Sequence, residues 1–144
     1  MIVMSIKYFT LEQANNTLPL VRRIAQDIVD DYQRWKANLS RYEAIAARDR
    51  PTGGESAGAE ALRAEVDAVA GRINDYIDEL KQIGCVLKGF DEGLVDFHSK
   101  LDDRDIFLCW KLGEDLVSHW HEIDSGFAAR QPVASEPVGG GQGP

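Results

Sequence analysis

The chain has 144 residues, 44% of them hydrophobic and 28% charged, which suits one domain with a core of its own. No apolar run approaches the roughly 20 residues of a membrane span, and "MIVMSIKYFT" has neither a basic leader nor a long apolar stretch, so a cytoplasmic address with no membrane partner is expected. The net charge is −8, and residues 91–124 hold ten acids against three bases, a local −7 that repels phosphate backbones and favours cations or a basic protein partner over nucleic acid.

Thr10 and Gln13 have the spacing of a capping box and predict a helical turn from Leu11. Thr17 is the next candidate cap, with Pro19 in the first turn, where its missing N–H costs nothing. From Leu18, the apolar positions Val21, Ala25, Ile28, Tyr32, Trp35, Leu39, Tyr42 and Ala46 alternate in steps of three and four, the pattern of a helical seam. The loop "RDRPTGGESAG" interrupts it. A second seam follows at Leu62, Val66, Val69, Ile73, Tyr76, Leu80 and Ile83, and Gly84 is placed to stop it. Two seams joined by a loop predict a long antiparallel, coiled-coil-like hairpin over residues 10–48 and 58–84. Ile24, Val29, Ile45 and Ile77 widen the apolar stripe, which predicts a homodimer through a four-helix region.

After Gly84 the period changes from helical to alternating. "CVLKGF", "LVDFHS", "IFLCWKL" and "LVSHWHEI", separated by "KLDDRD" and "KLGED", predict a three- to four-stranded antiparallel meander over residues 85–124. The fold class is therefore α+β, a helical hairpin packed on a small sheet, in a single domain of residues 1–132. Residues 133–144, rich in Pro and Gly, read as a disordered tail. The two cysteines, Cys85 and Cys109, are expected as free thiols.

Side-chain parity then sorts the strands into two faces. Val95, Phe97, Ile106, Leu108, Trp110, Leu112, Leu116 and Trp120 form an apolar face to pack on the hairpin. With the first turn centred between Asp102 and Asp103 and the second on Glu114, the other face sets Asp96, Cys109 and His119 in one row. His98, Phe107 and His121 form the next row. Neighbours in such rows are about 5 Å apart at Cβ, which suits a metal bound by imidazole, thiolate and carboxylate. The metal candidates are Asp96, Cys109, His119 and His121; the sequence leaves the cofactor open, a divalent transition metal such as zinc being the one these residues would take. Cys109 and His119 also have the residue types of a thiolate–imidazolium pair for nucleophilic catalysis. The same residues also suit the solvated face of a small sheet.

Three stretches, "KYFTLEQANNTLPLVRRI", "GLVDFHS" and "LCWKLGE…WHEIDSGFAARQPV", together resemble the bacterial domain-of-unknown-function 2203 family over about Lys7 to Pro132. The family brings no established activity. Its pattern commonly has proline where His98 stands and varies at His119, so the resemblance implies a ligand site of Asp96, Cys109, Glu114, His121 and Arg130. The expected function is a non-catalytic dimeric interaction or small-ligand-sensing module. A metal-binding protein or metal-dependent enzyme is the alternative.

Overall fold

A computed structural model describes residues 5–133. Two helices, α1 (Leu11–Asn16) and α2 (Leu18–Asp49), follow one another with only Thr17 between them. The Thr10 hydroxyl accepts from the Gln13 N–H, and the Gln13 side chain accepts from the Thr10 N–H, so the capping box is formed at both ends. Thr17 does not cap α2. Its hydroxyl donates backward to the Ala14 carbonyl at 2.7 Å and closes α1 instead. α2 runs for 32 residues, about 48 Å at 1.5 Å per residue. α3 (Ala57–Ile83) begins on Ser56, whose hydroxyl accepts from the Ala59 N–H, and ends at Gly84 with φ +110°.

The helical seam is not quite the one that apolar spacing selects. Burial along α2 also follows Ile24, Ile28, Asp31, Trp35, Asn38, Tyr42 and Ile45, an equally regular series of fours and threes. Two of its members are polar and buried. Asp31 accepts from Arg72 of α3 through both carboxylate oxygens at 3.1 Å and pairs with Arg34 one turn along. These bonds join the helices at one register. They also hold the Asp31 carboxyl below its ordinary value, the Arg72 hydrogen bond outweighing the opposing effect of burial.

Five antiparallel strands follow, in the order β1 (Val86–Gly89), β2 (Leu94–Leu101), β3 (Arg104–Lys111), β4 (His119–Glu122) and β5 (Gln131–Pro132). The sheet thus exceeds the expected three or four strands, because β5, only two residues long and ending in proline, lies beyond the stretch read as strand. Between β2 and β3, Leu101 pairs with Arg104 across Asp102 and Asp103, both with positive φ. Aspartate tolerates this left-handed conformation, and a two-residue turn of that type matches the twist of the strands. Gly93, at φ +70°, lets the backbone before β2 pass Leu112: a Cβ there would lie 2.8 Å from the Leu112 Cβ.

The predicted apolar face is largely present. Val95, Phe97, Ile106, Leu108 and Trp110 are buried with Leu18, Val21, Ile24, Ala25, Ile28 and Leu80, so the first half of α2 and the end of α3 cover the sheet. Leu112 and Trp120 pack against this core, but Leu116 does not; it is 59% exposed. Residues 113–118 are not strand, so period-two parity fails there and Val117 is buried in place of Leu116. Asn15 of α1 holds Val117 by its backbone, accepting from its N–H at 2.7 Å and donating to its carbonyl at 3.2 Å. Val133, which the sequence assigns to a tail, donates its N–H to the Ser118 carbonyl at 2.8 Å and is buried. The rest of that tail, 134–144, lies outside the described residues. No helix among the described residues is long and apolar enough to cross a membrane.

The Asp31–Arg72 bridge leads to a stability prediction. Asp31→Asn should cost about 1–3 kcal/mol at neutral pH, because a hydrogen-bonded charge is lost from a buried position. A carboxyl held low in the folded state stabilises fully above about pH 4 and loses that effect as pH falls through its folded value. Urea unfolding should therefore show a wild-type advantage at pH 7 that narrows toward pH 3.

Candidate functional site

The β2–β3–β4 pairing sets Asp96 opposite Cys109 and Cys109 opposite His119, and His98 opposite Phe107 and Phe107 opposite His121. Both expected rows are present in the expected register. Their environment differs from a solvated face. Asp96 is 2% exposed and His121 3%, and Cys109 and Phe107 are also buried. The chain after β4 crosses this side of the sheet: Ser125, Gly126 and Phe127 join Lys88, Leu94, Asp96, Cys109 and His121 around a pocket of about 230 Å3. A helical layer covers one face of the sheet, and an irregular strap partly covers the other.

Within the pocket the contacts are diagonal rather than along a row. His121 Nε2 lies 3.0 Å from Asp96 Oδ2, two strands away. Its other ring nitrogen, Nδ1, lies 2.8 Å from the Glu122 backbone carbonyl. A carbonyl only accepts, so Nδ1 carries the hydrogen and Nε2 is the atom turned toward the carboxylate. Only one proton fits between two such groups. The Cys109 sulfur completes the cluster, with one ligand atom from each of Asp96, Cys109 and His121 all within 4.8 Å of one another.

Burial is the main electrostatic influence. It raises the Asp96 carboxyl above its ordinary value, partly offset by His121. It also pushes the Cys109 thiol up to about 12, with the Asp96 charge acting in the same direction. An uncoordinated Cys109 is therefore a protonated thiol at neutral pH and a poor nucleophile.

The remaining candidates sit outside the cluster. His119 is half-buried, and its Nδ1 lies 3.1 Å from the Ser118 hydroxyl. It stands opposite Cys109 in register but does not share the ligand-atom cluster with Asp96 and His121. His98 packs between the rings of Tyr8 and Phe107, with centroids 6.3 and 4.6 Å away. Glu114 and Arg130 bind each other through both ends of carboxylate and guanidinium. Burial alone would raise the Glu114 carboxyl, but Arg130 and the Lys111 N–H, bonded at 2.9 Å, bring it below its ordinary value. Arg130 also lies over the Phe127 ring, 4.2 Å from its centroid, and its charge reaches the Cys109 sulfur. These two residues thus hold the pocket wall. Lys88, which sequence reasoning did not single out, reaches the pocket from β1.

A cluster of carboxylate, thiol and a carbonyl-locked imidazole offers three donors typical of zinc and its neighbours. A sequence model described as an uncharacterized conserved protein family, DUF2203, matches residues 7–133. No curated protein and no solved structure matches.

The buried charge should have a measurable cost. Asp96→Asn retains a partner for His121, with the amide now donating to Nε2, and removes a carboxylate from an apolar setting. The metal-free variant should melt at or above the wild-type temperature. A fall would mean that the Asp96–His121 pair is a net stabiliser of the fold.

Proposed function

The chain belongs to the DUF2203 family of uncharacterized conserved proteins, and from its site we propose that it is a small-ligand-binding protein built on a transition-metal centre. Asp96, Cys109 and His121 supply the ligands, and the pocket supplies the open position. The observation that carries this reading is the His121 ring. Its Nδ1 is fixed by the Glu122 carbonyl, which leaves Nε2 facing a buried carboxylate and a buried sulfur. Ligating histidines are commonly oriented by such a carbonyl contact.

The dimensions support it. Donor atoms on tetrahedral zinc lie about 3.3–3.8 Å apart, given bonds of 2.0–2.3 Å. The cluster, with all three donors within 4.8 Å, needs at most about 1.0–1.5 Å of closure. A divalent ion would replace the proton shared by Asp96 and His121 and take the thiolate form of Cys109, which relieves the cost of keeping these groups buried. Three protein ligands with a fourth position open is the arrangement of zinc sites that bind a substrate or water, whereas purely structural sites are closed by four. The pocket lies beside the three donors.

Elemental analysis of untagged, gently purified protein should find about one zinc or similar ion per chain, a stoichiometry matching the one cluster among the described residues. Cys109→Ala and His121→Ala should each abolish it, and His119→Ala should retain it. Metal at a hundredfold excess over Kd should stabilise the wild type by about 2.7 kcal/mol, read as a raised melting temperature, and leave the two ligand variants unmoved. Wild-type protein that takes up no metal after reconstitution would reduce the cluster to a buried polar network.

A further inference from the structure

The charge around the pocket is unusual for this protein. Residues 91–124 carry ten acids and three bases, yet the charged side chain that lines the pocket outside the donor cluster is a lysine. Lys88 is set there by an irregularity in the sheet. Leu87 pairs with Val95 and Gly89 with Leu94, so Lys88 is an extra residue without a partner, a β-bulge. Bulges redirect a side chain, and they recur beside active sites. Gly89, next to it, passes close to two side chains: a Cβ at that position would lie 2.9 Å from Glu92 Oε1 and 3.2 Å from Leu94 Cδ1.

The Lys88 ammonium rests over the Phe107 ring, 4.7 Å from its centroid. Among the described residues it forms no ion pair, although Lys36, Lys100, Arg104 and Arg130 all do. The Phe127 wall opposite is flanked by Lys111, at 5.5 Å from the ring centroid, and by Arg130. The apolar lining consists of Leu94 and Phe127. At about 230 Å3 the space is below the roughly 300–1,000 Å3 of pockets that bury drug-sized molecules.

From this arrangement, and resting on the metal reading above, we infer that the ligand is a small carboxylate with a short apolar tail. One carboxylate oxygen takes the open metal position, the Lys88 ammonium pairs with the anion, and the tail lies against Leu94 and Phe127. A cation of this kind selects charge, because an uncharged isostere gains nothing from the lysine.

Cobalt(II) in place of zinc makes the coordination visible, since zinc itself has no d–d absorption. Propionate should shift the visible bands of the cobalt protein saturably, and propionamide should not. Lys88→Gln, at an exposed position that spares the fold, should bind cobalt normally and weaken propionate by about fivefold, the effect of one partly screened charge pair. Cobalt bound but bands indifferent to propionate would overturn the ligand assignment alone, as would unchanged propionate affinity in Lys88→Gln. Failure to bind cobalt at all would overturn the metal centre, and the ligand assignment with it.

Discussion

Leu101 and Arg104 face each other across a turn of two residues, Asp102 and Asp103, both in the left-handed conformation. If that turn were one residue longer, every side chain of β2 would change its partner on β3 and the later strand would turn its other face to the helices. Trp110 would leave the core, and Asp96 would no longer stand opposite Cys109. The turn also determines what the outer face must do. Helices bury the inner face, and the strap from Ser125 to Phe127 crosses the outer one. Polar groups on the outer face then lie largely out of water and must satisfy each other. The contact between Asp96 and His121 is the result.

Much of this was legible because it is local. The Thr10 capping box, the stop at Gly84, the Asp102–Asp103 turn and the two rows of outward residues all follow from period and spacing. What was not legible depends on contacts far apart in the chain. Asp31 and Asn38 are in the helical seam, but a reading that counts apolar residues passes over them. Asp31 is kept there by Arg72, 41 positions later. The parity error at Leu116 has a similar origin, since Val117 is held by Asn15, 102 positions earlier. Lys88 gave no signal, because a bulge is created by the pairing of both its neighbours.

The site shows the same division. Residue types and register pointed to Asp96, Cys109 and His121 together with His119 and His98, all on one face. Geometry then separated them by the direction of a single ring. His121 is turned by a carbonyl of its own strand, whereas His119 is turned toward Ser118 and His98 is wedged between aromatic rings. The Glu114–Arg130 pair acts one step further out. Trp110 donates its indole N–H to the Glu114 carbonyl at 3.0 Å, so the residue that holds Arg130 is itself attached to the core. Contacts thereby run without a break from Trp110 in the core through Glu114 and Arg130 to Phe127 at the pocket.

The last strand has one more effect. Val133 directs its N–H inward to Ser118. Neighbouring residues of a strand alternate in this respect, so the next position, Pro132, is the one whose N–H would point outward, and proline has none. An open sheet edge is a template on which another strand can grow, and proteins commonly block it with short strands or proline. Among the described residues the edge strand beyond β4 is two residues long and lacks a donor where it faces out. Pro132 thus denies an incoming strand one hydrogen bond on this edge, beside the stretch of β4 that β5 covers.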